Sequence, residues 1–163
     1  MYSVSKSFTS TAIGFAVEEG LLSLDAKVID FFPEYRPAQP DEKLEKMTVR
    51  HLLTMTSGKN PSLLLDKTKD RWIKDFFNAP WISEPGEMFL YVSENIYMLC
   101  AILVRVTGIS VTEFLTPRLY EPLGMPCRLI GQTGPAMAWK SAAGFDAPGG
   151  SGYCESCRTA GSV

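Results

Sequence analysis

The chain has 163 residues, 45% hydrophobic and 21% charged, with a net charge of −2. That is the size and composition of one ordinary globular domain, large enough to enclose a core. The near-neutral balance argues against nucleic acid or an anionic membrane surface as a partner. The longest apolar run, Ile96 to Val104, is too short to span a bilayer and is ended by Arg105.

From Ser3 to about Glu19, Phe8, Ala12, Phe15 and Ala16 recur at helical spacing, with Val4 and Ile13 beside them. Gly20 predicts a left-handed stop, with Leu21 as the apolar residue that follows. Ser3 then lies in the first turn, and Lys6 one turn on, on the same face. In "LLSLDAKVIDFFPEY", Asp25 is expected to cap a short helix with Val28, Phe31 and Phe32 inward, ended by Pro33. "RPAQPDEKLEK" predicts a polar loop. "MTVRHLLTMTSG" predicts a short helix capped by Thr48, with Val49, Leu52 and Leu53 inward and Gly58 at its end.

Between Lys67 and Asn78, Trp72, Ile73, Phe76 and Phe77 share one face of an amphipathic helix. "APWISEPGEMF" is irregular. The next stretch, "YVSENIYMLCAILVRVTG", predicts a helix capped by Ser93 and closed by Gly108; apolar residues all round it mark a buried centre. Cys100 within it reads as a small packed hydrophobe. "SVTEFLTPRLYEPLGM" opens on a capping box, Ser110 with Glu113, and draws apolar contacts from Phe114, Leu115, Leu119 and Leu123.

After Met125 the pattern changes: Gly, Ser and Ala dominate and neither structural period is sustained. Residues 1–125 therefore read as one nearly all-helical region and 126–163 as an irregular Gly/Ser-rich tail. Cys154 and Cys157 in that tail have C-x-x-C spacing, but no second pair completes a zinc set, and Cys127 stands alone, so no metal or cofactor is expected.

Ser3-Val4-Ser5-Lys6 is an S-x-x-K motif, which arises by chance on the order of once in a chain of this length. Alone it reads most simply as a capped helix start. A serine nucleophile needs a neighbouring base, and lysine serves only where burial or charge lowers its pKa.

Longer segments add to the motif. "SVSKSFTSTAIGFAVEEGLLSLDAKV", "TVRHLLTMTSG", "PGEMFLYVSENIYMLCAILVRVTG" and "FLTPRLYEPLGM" together resemble, in order and spacing, the serine β-lactamase and penicillin-binding-protein superfamily, in its class C-like branch. The resemblance runs almost continuously from Ser3 to Met125. It implies the helical subdomain of the α+β β-lactamase/transpeptidase-like fold, with the family's sheet largely missing. It implies that Ser3 is the acylated nucleophile, Lys6 its partner and Tyr91 the tyrosine of the second motif, with Ser93 as a substrate-binding residue. The substrate would be a β-lactam, a D-amino-acid peptide or an ester, cleaved without a cofactor. His51 falls on the first histidine of the family's "RHLLTHTSG" stretch, where the second is Met55 here, and is expected to pack or cap rather than join a triad.

No Lys-Ser/Thr-Gly third motif is found; Lys140-Ser141-Ala142 comes too soon after "PLGM" to stand for it. The alternative expectation is accordingly an inactive fragment or a helical binding remnant. A shifted reading frame would produce the change at Met125, and Met1 would then be an internal methionine. The compartment stays open: cytoplasmic if Met1 is the true start, exported if a signal peptide lies upstream. Apolar surface that a sheet would cover is expected to favour self-association.

Overall fold

A computed structural model describes residues 3–39, 41–60 and 72–125. Its helices are α1 (Ser5–Glu18), α2 (Glu42–Lys46), α3 (Val49–Leu53), α4 (Trp72–Asn78), α5 (Ser93–Thr107) and α6 (Val111–Leu115). Two 3-10 turns, Val28–Phe31 and Pro33–Tyr35, precede α2, and a π turn, Thr116–Tyr120, continues α6. Among the described residues there is no strand; extended pairing is limited to the isolated bridges Lys27–Thr48 and Lys59–Trp81.

The hub is α5. Every residue from Glu94 to Leu103 is buried, as an all-round apolar sequence requires. It packs against α1, α3 and α6. On α1 the buried face is Thr9, Ala12, Ile13 and Ala16, at helical spacing, and the two alanines allow close approach. Thr9 Oγ1 lies 3.6 Å from Cys100 Sγ across that seam, and burial pushes the Cys100 thiol up to about 12. Each fully buried Ile, Leu, Phe or Met in this core contributes about 1.5–3 kcal/mol relative to exposure.

Gly108 ends α5 in the left-handed region, at φ 75°. The chain then bends by 71° into the final helical segment. Ser110 and Glu113 form the predicted capping box, with Glu113 N–H donating to Ser110 Oγ at 3.2 Å and Ser110 N–H to Glu113 Oε2 at 2.8 Å. Pro117 lacks an N–H for the α ladder, and the backbone widens, with Glu121 N–H reaching Thr116 O at 3.0 Å. Tyr120 fills the core from this turn, whereas Leu123, expected to pack, is 65% exposed. Arg118 ties the segment back to α1: its Nε and Nη2 donate to the Glu19 carboxylate at 2.6 and 2.8 Å. That pairing holds Glu19 below its usual carboxylate range. No described helix alone is long and apolar enough to cross a membrane.

The segment between α1 and α3 departs most from the sequence expectation. Gly20 does take φ 71°, but the buried anchor after it is Leu22, and Leu21 is exposed. Asp25 does not cap the next turn; its carboxylate accepts from Arg50 Nε and Nη2 at 3.1 and 2.9 Å. The turn is a 3-10 segment whose period buries Val28 and Ile29, with Phe32 just beyond and Phe31 only half-buried. Pro33 opens a second turn rather than only ending the first, as its fixed φ allows. The predicted polar loop contains α2, because Asp41 Oδ1 accepts from Lys43 N–H at 2.9 Å and Leu44 anchors the turn in the core.

Candidate active site

Ser3 stands just before α1 rather than within its regular ladder. Lys6 N–H donates to Ser3 O at 3.0 Å and Ser7 N–H to Val4 O at 3.2 Å, so the helix opens with i to i+3 bonding. Such a turn eclipses residues three apart. Lys6 Nζ accordingly reaches Ser3 Oγ at 3.4 Å. From 88 residues away, the Tyr91 hydroxyl donates to the same Ser3 Oγ at 2.8 Å. Lys6 Nζ also lies 5.2 Å from the centre of the Tyr91 ring. The structure thus brings Ser3, Lys6 and Tyr91 together.

The Tyr91 phenol is held below its ordinary value. Hydrogen bonding with Ser3, whose hydroxyl can donate to the ionised oxygen, contributes most, followed by hydrogen bonding to Lys6, with the lysine's positive charge adding a smaller part. The group is open to solvent: Ser3 is exposed and Tyr91 is 53% exposed.

Ser93, expected as the cap of α5, is instead its first helical residue, and Val92 occupies the cap position. The Ser93 hydroxyl makes no hydrogen bond among the described residues, so the geometry does not join it to the other three. His51 is a cap. Its Nδ1 accepts from Thr48 N–H at 3.1 Å at the start of α3, which leaves the proton on Nε2. The ring stands over Gly86, where an added Cβ would come within 3.1 Å of Nε2. Burial, reinforced by Arg50, holds the imidazole below its ordinary pKa.

Tyr91 is placed by two loops that run against each other. Ile82 N–H donates to Gly58 O at 2.9 Å, Gly86 N–H to Thr56 O at 2.8 Å, and Leu90 N–H to Met55 O at 2.9 Å. The loop after α3 is therefore the seat of the segment that ends at the phenol.

Sequence reading missed the buried polar groups of that seat. Lys59 is 2% exposed; its Nζ donates to Phe77 O and Ala79 O at 2.7 and 2.8 Å and lies 3.9 Å from the centre of the Trp81 ring. It caps the end of α4, while burial draws its pKa down to about 8. Ser57 and Asn95 are also buried and hydrogen-bonded to each other. Lysine, serine and asparagine follow no apolar period, so their burial leaves no local trace in the sequence. Cys127, Lys140, Ser141, Cys154 and Cys157 lie outside the described residues.

Comparison with known proteins covers the same span. Esterase EstB of Burkholderia gladioli is 30% identical over 141 residues, covering 76% of this chain and 36% of its own. A β-lactamase of Escherichia coli is 29% identical over 123 residues, covering 74% of this chain and 32% of its own. Penicillin-binding protein 4 of Amycolatopsis lactamdurans is 30% identical over 128 residues, covering 76% of this chain and 33% of its own. The chain spans about a third of the length of these relatives. The β-lactamase family model matches residues 1–152, beyond the Met125 boundary read from composition. With most of its length matched, carrying the segments around Ser3 and Tyr91, the chain belongs to the β-lactamase family.

Proposed function

We propose that this chain carries the nucleophile and proton-handling groups of a serine hydrolase, on a helical region formed by residues 1–125. The observation behind the reading is the convergence of Tyr91 and Lys6 on Ser3 Oγ, at 2.8 and 3.4 Å. The ammonium favours the phenolate, which accepts the Ser3 proton as Oγ attacks a carbonyl carbon. The tetrahedral adduct collapses, the proton passes to the leaving group, and an ester to Ser3 remains. Water then adds to that ester and, on collapse, releases the acid and restores the serine. Ser93, on the first turn of α5, is the residue proposed to contact the substrate.

The relatives' names, an esterase, a β-lactamase and a penicillin-binding protein, support an ester or a β-lactam as the substrate. The family resemblance read from the sequence adds a D-amino-acid peptide. A second reading is favoured by the absence of any Lys-Ser/Thr-Gly triplet from the sequence. In it the chain binds ligands without turnover. In the family this chain resembles, the strand bearing that triplet supplies an oxyanion-hole amide. Such a donor alone is worth ~10²–10³ in rate, and in this reading no acyl adduct accumulates without it. The two readings separate on covalent labelling by a fluorophosphonate or penicillin probe: the first requires an adduct that Ser3→Ala abolishes, the second requires none.

A further inference from the structure

We infer that Ser57 and Asn95 are positioning residues for Tyr91, acting through a buried polar strut that fixes the backbone on both sides of the phenol. The inference rests on the proposed role of Tyr91 at Ser3. Asn95 is 0% exposed and Ser57 2% exposed, so both must be paired to be tolerated. Ser57 Oγ donates to Asn95 Oδ1 at 2.9 Å, and Asn95 Nδ2 donates to Met55 Sδ at 3.6 Å. The amide orientation follows from the chemistry: a thioether only accepts, so the Nδ2 end must face it.

Met55 carries the effect onward. Its carbonyl receives the N–H of Leu90, the residue before Tyr91, at 2.9 Å. Its backbone takes φ 58°, an uncommon conformation for a side-chain-bearing residue that persists only where neighbours hold it. On the other side of Tyr91, Asn95 N–H donates to Val92 O at 3.3 Å as α5 begins. Tyr91 is thus bracketed by two anchors that meet in one asparagine. The bracket matters because the Tyr91 side chain is 53% exposed and packing does little to fix its direction. Where the hydroxyl points is set by the backbone beneath it. A pair of apolar residues would fill the same space, but they would not hold Met55 by a directional bond.

The experiment reads Tyr91 directly, in the full chain. Tyrosine labelled with ¹³C at Cζ is titrated by NMR, with the Tyr91 signal assigned through Tyr91→Phe. Among the described residues, Lys6 is the charged group acting on this phenol, from the start of α1. In the unaltered chain the Tyr91 midpoint lies below the ordinary phenol value of 10.0. In Ser57→Ala and Asn95→Leu it returns to that value, while Ser57→Thr, which keeps the hydroxyl, stays with the unaltered chain. Tyr97 and Tyr120, held high by burial, serve as internal references and do not move. Labelling of Ser3 by a fluorophosphonate slows at least tenfold in the first two variants. If either of them fails to fold, Met55→Leu removes the sulfur acceptor at nearly constant volume and gives the same readout. An unchanged Tyr91 midpoint in the folded variants overturns the inference, as does a shift shared by all the tyrosines. If the unaltered chain takes no label but the Tyr91 midpoint responds as stated, the hydrolase reading fails and the positioning stands.

Discussion

Gly58→Ala tests the seating of the two loops that carry Tyr91. Gly58 has φ +77°, and a Cβ there would stand 2.7 Å from Ser83 O and 3.3 Å from both Glu84 C and Pro85 N. These neighbours are backbone atoms, so no side chain can swing aside. The left-handed conformation costs an L residue roughly 1–2 kcal/mol. Forcing a methyl into filled space adds about 1–3 kcal/mol. The expected loss is therefore ~2–5 kcal/mol, a large part of the 5–15 kcal/mol typical of a domain. Gly124→Ala is the control: its φ is +63°, but nothing lies within 4 Å of the added Cβ, so only the conformational part applies. Urea unfolding of the full chain, followed by tryptophan fluorescence, measures both. Equal losses in the two variants would refute the close approach of Gly58 to Ser83.

Other outcomes follow from single contacts. His51→Ala leaves Thr48 N–H without its acceptor and is expected to cost about 1 kcal/mol in the same assay. The imidazole pKa is lowered in the folded chain, so its contribution is complete above the ordinary histidine value of 6.5 and falls away as pH drops through the folded value; His51→Ala removes that acid-side slope. Cys100, buried and raised to about 12, is expected to resist iodoacetamide in the native chain and react in urea, as read by peptide mass mapping. Val4 and Phe89 are 63% and 65% exposed, and the chain is expected to self-associate; sedimentation velocity should show a concentration dependence that Phe89→Ser weakens.

Much of the helical frame was legible locally. The apolar residues surrounding Cys100 identify α5 as the buried centre, Ser110 with Glu113 marks the start of α6, and Gly20 and Gly108 mark helix ends by the conformation only glycine adopts freely. The misses share a cause. In α2 a single anchor, Leu44, is too little to set a period, and Asp41 looks the same in a loop as at a cap. Leu123 has the spacing of a core residue, but the π turn at Pro117 rotates the chain and Tyr120 takes the buried place. At the site, the S-x-x-K spacing was visible locally, while Tyr91 could be placed beside it only through the family resemblance, because a contact across 88 residues depends on the whole fold and leaves no local pattern. The strut of Ser57 and Asn95 was hidden for the same reason: Ser57 is satisfied by a partner 38 residues away, and Asn95 by that partner and by Met55, 40 residues away.

The hydrolase reading stands on Ser3 as a nucleophile driven by Tyr91 and Lys6. Its most direct test is the intact mass of the full, folded chain after exposure to a fluorophosphonate. The predicted result is one adduct, mapped to Ser3, absent in Ser3→Ala and slowed ~10²–10⁴-fold in Tyr91→Phe, the usual worth of a positioned acid–base group. A folded chain that takes no adduct, or takes one that Ser3→Ala leaves in place, would contradict it.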